Sequence, residues 1–221
     1  MTVKRVIVSN PVMAVGKWST SAELVRDVVR LGYIKKTDDV LDCTYGEGTF
    51  WRAWTPSVLV ASDLKPKHSS VKKVDFRKMP WPDDRFDVVV FDPPYKLNGT
   101  PSDPDVRYGA DDVMSWQARH QLIREGLSEC ARVLKPKGIL LLKCQDQVSS
   151  GQVRWQTIEF TNHATQECGL KLEDWLLPMG SRAQPPRSRS DGTPSLQAHA
   201  RRNYSSLLVF SKKLVRKPKK A

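Results

Sequence analysis

The run Phe86-Asp87-Val88-Val89-Val90-Phe91 is the most strand-like stretch of the chain, and Asp92-Pro93-Pro94-Tyr95 stops it at once. Consecutive β-branched residues favour a pleated strand, and two adjacent prolines remove the donors that a continuing strand needs. Comparable runs recur on either side. Val40–Cys43, Val58–Ser62, Ile139–Cys144, Leu170–Leu177 and Tyr204–Ser211 are expected strands. Helical spacing predicts helices over Ser21–Leu31, Met114–Leu134 and Val153–Cys168, with Thr49–Trp54 opening a further one. Thr20 and Glu23 form a capping box ahead of the first helix. Strands alternating with helices point to an α/β fold with a parallel sheet. The 221 residues are enough for one domain with its own core.

Asp42-Cys43-Thr44-Tyr45-Gly46-Glu47-Gly48 joins an expected strand to an expected helix. Open α/β sheets bind cofactors at such carboxyl ends. Two glycines allow a tight turn and a close approach of backbone to ligand. Trp51 stands where a dinucleotide fingerprint would place its third glycine, and Glu47 would repel a diphosphate. The turn therefore favours a nucleoside without a pyrophosphate. Two further acids follow in order. Asp63 ends the next strand and can accept from ribose hydroxyls. Asp75 lies where a third strand would end and can accept from an adenine amino group, with Phe76 offering an apolar face.

The Asp92–Tyr95 segment has a chemistry of its own. With two donors removed, the carbonyls and the Asp92 carboxylate make an acceptor-only pocket. An exocyclic –NH2 donates twice and suits such a pocket, which would aim its lone pair at an electrophile and stabilise the developing positive charge. Tyr95 supplies a flat face on which a base can stack.

Asp42–Gly48 followed by Asp92–Tyr95 resembles the S-adenosylmethionine-dependent DNA amino-methyltransferases of the adenine-N6/cytosine-N4 type. The resemblance runs from about Trp18 to Ser211. It implies a Rossmann-like class I methyltransferase fold with a mostly parallel seven-stranded sheet flanked by helices. It implies S-adenosylmethionine as cofactor, with Asp42, Cys43, Thr44, Gly46 and Gly48 along its methionine end, Asp63 on its ribose, and Asp75 and Phe76 at its adenine. Many members have Glu at the position of Asp63. Asp92, Pro93, Pro94 and Tyr95 become the catalytic set. An Asp in the first position most often accompanies adenine N6, and a Ser is commoner for cytosine N4. The compact chain with a polar insertion after Asp-Pro-Pro-Tyr is similar to small phage and prophage DNA methylases.

The formal net charge is +12, which suggests a polyanionic partner, DNA before RNA. From Gly180 to Ala221 eleven basic residues stand against Asp191 alone, so +10 of the charge lies there. One domain over 1–211 is expected, with recognition insertions near 96–112 and 180–202 and a basic tail at 212–221. Lys96, Asn98, Arg107 and Tyr108 in the first insertion, and Arg182, Arg187, Arg189, Arg201 and Arg202 in the second, are the expected contacts to phosphates and base edges. Trp116 and Trp155 are expected in the core. Cys43, Cys130, Cys144 and Cys168 form no C-x-x-C pair, so no metal site or disulfide framework is expected. No cysteine follows a proline, which excludes the thiol chemistry of cytosine C5 methylation. With no membrane span and no signal peptide read, a cytoplasmic setting is expected. An RNA amino-methyltransferase, a cytosine-N4 enzyme and a non-catalytic nucleic-acid-binding protein on the same scaffold are the competing readings.

Overall fold

The computed structural model describes residues 11–97, 114–180, 198–200 and 202–214. Its strands are β1 (Val15–Gly16), β2 (Asp39–Asp42), β3 (Val58–Asp63), β4 (Lys72–Lys73), β5 (Phe86–Phe91), β6 (Leu134–Cys144), β7 (Gln147–Ser149), β8 (Gln152–Arg154), β9 (Leu170–Pro178) and β10 (Ser206–Lys212). The helices are α1 (Ser21–Arg30), α2 (Trp116–Val133) and α3 (Gln156–Gln166). Eight strands form one sheet in the order β1-β9-β10-β6-β5-β2-β3-β4, and β7 and β8 form a separate hairpin. Strands β4, β3, β2, β5 and β6 run parallel to one another, whereas β10 is antiparallel to both β6 and β9. The fold is Rossmann-like. The expected seven-stranded sheet gains an eighth, two-residue strand, β1, at its edge.

Both faces of the sheet are covered, which is why its strands are apolar runs rather than alternating ones. Alternation survives in where successive residues point. Val88 and Val90 of β5 face α1, packing with Leu24, Val25, Val28 and Leu141. Val89 and Phe91 face the other way, toward Ile123 and Leu127 of α2 and Phe160 of α3. Helix α2 comes so close at Gly126 that a Cβ there would lie 2.6 Å from the rings of Phe76 and Phe91.

Several expected elements change. The helix over Thr49–Trp54 is a three-residue 3-10 turn, Thr49–Trp51. Pro56 lies a few residues on and disfavours helix at Thr55. The helix over Val153–Cys168 starts only at Gln156, with Val153 in β8. Buried Asp146 sets that start by accepting from the Thr157 N–H and hydroxyl, doing the work of an N-cap. Strand β6 begins at Leu134, and Lys137 adopts φ +67° within it, so the expected turn is a kink inside a strand. Lys212, expected in the basic tail, belongs to β10. Its ammonium is 2.7 Å from Asp84 Oδ1 and donates to the Leu134 carbonyl. No helix among the described residues is long and apolar enough to cross a membrane.

Candidate active site

Strands β2, β3 and β5 are adjacent and parallel, so their carboxyl ends bring Asp42, Asp63 and Asp92 to one edge of the sheet. Thr44 joins the two expected motifs, because its hydroxyl accepts the Asp92 N–H at 2.7 Å. Beyond Asp92 the turn is clamped through its carbonyls. The Pro94 oxygen accepts from Arg119 Nη1 at 3.2 Å. The Tyr95 oxygen accepts from Gln156 Nε2 at 2.9 Å and Gln147 Nε2 at 3.3 Å. Gln147 also accepts the Leu97 N–H. Asp92 Oδ2 lies 3.2 Å from Lys143 Nζ. The Asp92 Oδ1 oxygen and the Pro93 carbonyl make no hydrogen bond among the described residues. Two acceptors thus stay open beside Tyr95, as many as an amino group has protons to donate.

Asp42 is buried beneath the glycine turn. Its Oδ2 accepts from Trp51 Nε1 at 2.7 Å and its Oδ1 from the Thr44 N–H at 3.1 Å. Burial pushes its carboxyl up to about 7; the two hydrogen bonds oppose this and the Asp92 and Asp63 charges add to it. Gly46 and Gly48 have φ of +55° and +65°, in the left-handed region that favours glycine.

Asp63, expected on the ribose, is turned inward under the glycine turn. It is 1% exposed, and its two oxygens accept from the Gly46 and Lys65 N–H groups at 2.9 Å each. It braces the glycine turn from below and does not present an open carboxylate. The Cys43 thiol points into the core, donating to the Val90 carbonyl and touching Cys130 Sγ, and burial pushes it well up. Phe76 likewise offers no open face: it is 2% exposed and meets Phe91 edge-on at 5.0 Å. Asp75 is gripped by Arg77 through the backbone N–H and guanidinium, which holds its carboxyl below the usual range. Sequence order placed these four residues near the cofactor turn, but the packing between β4 and α2 turns Phe76 inward.

A cavity of about 360 Å³ opens beside the turn, lined by Trp18, Tyr95, Lys143, Gln145, Arg202 and Tyr204 among others. Of the expected nucleic-acid contacts, Lys96 follows Tyr95 directly and is half-buried. Arg202 stacks on the Trp155 ring at 4.7 Å. Asn98, Arg107, Tyr108, Arg182, Arg187, Arg189 and Arg201 lie outside the described residues. Trp155, expected in the core, is 48% exposed and forms a platform for Arg202. Among the described residues no group of His, Cys, Asp and Glu could hold a metal.

Lys143, Arg119, Gln147 and Gln156 escaped the reading of the sequence. Lys143 carried a signal: it is a lysine inside the apolar run Leu140-Leu141-Leu142-Lys143-Cys144. A charge in an interior strand requires a partner. Burial pulls its ammonium down, but the Asp92 charge and Tyr95 more than offset this, so it is held above the usual lysine range.

A family model described as DNA methylase matches residues 86–220. No curated protein matches the chain. Among solved structures, the BH2331 protein of Bacillus halodurans, which carries a provisional methyltransferase name, superposes with a TM-score of 0.57 at 17% identity. The match covers 87% of this chain and 100% of that one. The PH0226 protein of Pyrococcus horikoshii gives 0.50 at 16%, over 87% and 89% of the two chains. The [4+2]-cyclase SpnF gives 0.51 at 14%, over 87% and 82%. These identities speak to fold alone, and the cyclase shows that the fold does not dictate a reaction.

Proposed function

Because the chain belongs to this DNA methylase family, whose cofactor is S-adenosylmethionine, we propose that it methylates adenine N6 in DNA. The carrying observation is the pair of open acceptors, Asp92 Oδ1 and the Pro93 carbonyl, in a turn whose Pro94 and Tyr95 carbonyls are clamped. An adenine N6 amino group donating to both would present its lone pair away from them. The Asp92 carboxylate would stabilise the positive charge gained as the N–C bond forms, and the surplus proton then leaves the nitrogen toward Asp92 or solvent. Tyr95 would hold the base plane, which reaches this depth only when the nucleotide is flipped out or unpaired.

The bound cofactor supplies an electrophilic methyl on a sulfonium, which departs as a neutral thioether. The donor set fits such a cationic group. Three carboxylates converge on one sheet edge, and buried Asp42 is pushed up to about 7 partly by its acidic neighbours. Asp42, Thr44, Gly46 and Gly48 would hold the cofactor, with Asp63 bracing the turn. The body up to β10 acts as one methyltransferase domain. The insertions near 96–112 and 180–202, with the basic tail, would hold the DNA backbone and read its bases. An Asp in the first position of the Asp-Pro-Pro-Tyr motif supports adenine over cytosine.

Mass spectrometry of nucleosides from a host expressing the chain, beside one expressing Asp92→Ala, tests this. N6-methyladenine with the wild-type chain alone is expected. N4-methylcytosine in its place would overturn the choice of base, and identical nucleosides from both hosts would overturn the role of Asp92.

A further inference from the structure

Asp92 and Lys143 stand one residue past the last paired positions of β5 and β6, Phe91 and Leu142. They are side by side at the carboxyl edge, with side chains 23% and 17% exposed. A lysine so covered needs a counter-ion, and its ammonium is 3.2 Å from Asp92 Oδ2. On another side it sits 5.3 Å from the centre of the Phe50 ring. That ring follows the glycine turn, so Lys143 touches both halves of the site.

We propose that Lys143 is a positioning residue for methyl transfer, fixing the Asp92 carboxylate in one rotamer with Oδ2 engaged and Oδ1 left to accept the target amine. The inference rests on the role given to Asp92 above. Thr44 holds the Asp92 backbone through its N–H, but that bond leaves the side chain free to rotate. When ionised, Asp42 on the neighbouring strand end repels the Asp92 carboxylate, which favours its drift away. The ammonium opposes that drift by engaging Oδ2. The oxygen that remains makes no hydrogen bond among the described residues, so it is left to accept from an amino group in a fixed position. Such a device acts on orientation, where an error of about 1 Å costs on the order of 100-fold in rate. It predicts a defect in turnover without a matching defect in cofactor binding.

The test uses the full chain as wild type, Lys143→Met, Lys143→Arg and Asp92→Ala. Tritiated methyl transfer to genomic DNA from a methylation-deficient strain gives kcat and KM, calorimetry gives the S-adenosylmethionine Kd, and thermal unfolding reports the fold. Lys143→Met should lower kcat about 100-fold while leaving the Kd within about twofold. Lys143→Arg, which keeps the charge, should recover about tenfold of that loss. Should Lys143→Met fail to fold, the kcat of Lys143→Arg against its Kd decides alone. A Lys143 variant with wild-type kcat overturns the proposal, and so does a Kd that weakens as much as kcat falls. Full transfer by Asp92→Ala would instead unseat the reading on which it rests.

Discussion

Asp42 is the carboxylate whose charge this fold tolerates least among the described residues. Its carboxyl is pushed up to about 7, first by burial and then by Asp92 and Asp63, against an ordinary value of 3.8. Between about pH 4 and pH 7 the folded chain therefore keeps a proton that the unfolded chain has released. Stability from this group falls as pH rises through that window. Each unit of difference corresponds to about 1.4 kcal/mol. The gap of about three units then makes a loss of roughly 4 kcal/mol, absent below pH 4 and complete above pH 7.

Asp42→Asn removes the titration at a definite local cost. One amide oxygen can accept from Trp51 Nε1 or from the Thr44 N–H, but not from both, and losing one such bond costs about 1–2 kcal/mol. The variant should be less stable than the wild type near pH 4 and more stable at pH 8, by about 2–3 kcal/mol there. For a chain of this length that is a rise of roughly 5–10 °C in Tm. Thermal unfolding of both proteins at half-unit steps from pH 4 to 8 measures the difference, and the groups they share cancel. Parallel curves across the range would refute the argument. With S-adenosylmethionine present, its positive charge should favour the carboxylate. Binding near pH 7 should then release protons from the wild type and not from Asp42→Asn, as calorimetry in two buffers would report.

Three further outcomes follow from single contacts. Gly48→Ala places a Cβ 2.5 Å from the Tyr45 hydroxyl at φ +65°; strain of about 1–3 kcal/mol should weaken S-adenosylmethionine binding roughly tenfold in calorimetry. Gln156→Leu leaves the Tyr95 carbonyl to Gln147 alone; kcat should fall about tenfold with an unchanged cofactor Kd. Truncation after Leu214 removes Arg216, Lys217, Lys219 and Lys220; the slope of log K against log salt for duplex DNA should shrink by up to about 3–4, and an unchanged slope would assign those charges no role in binding.

Legibility in the sequence followed the range of the interaction. Strand β5 is found at Phe86–Phe91 as expected, because a run buried on both faces announces itself locally. The capping of α1 was equally local: the Thr20 hydroxyl accepts the Glu23 N–H. The Glu23 carboxylate returns to the Ser19 N–H rather than to Thr20 itself. What stayed hidden depends on pairs far apart in the chain. Cys43 and Phe76 sit beside motif positions, yet their side chains are buried against Cys130 of α2 and Phe91 of β5, partners that only the tertiary packing brings near. Trp155 reads as core by its hydrophobicity, but it precedes a helix that starts only where Asp146 caps it, which leaves the ring outside. Gln147 and Gln156 are ordinary polar residues until the β7–β8 hairpin carries both to one carbonyl.

The separation of charge in the molecule bears on how recognition and chemistry divide. The edge where methyl transfer is proposed is acidic, with Asp42, Asp63 and Asp92 at neighbouring strand ends and Lys143 engaged by one of them. Such an edge attracts a cationic cofactor and repels a phosphate. On the proposed function, backbone affinity for DNA would then be generated elsewhere, and +10 of the formal charge lies in the segment from Gly180 to Ala221. In the role proposed for it, the turn would read an amine and carry no information about neighbouring bases. Exchanging residues 180–202 with those of a family member of different site preference should then move the methylated sequence while leaving the methylated atom unchanged, as long-read sequencing of host DNA would reveal. A change of base on such an exchange would mean that the insertion, and not the Asp92–Tyr95 turn, selects the amine.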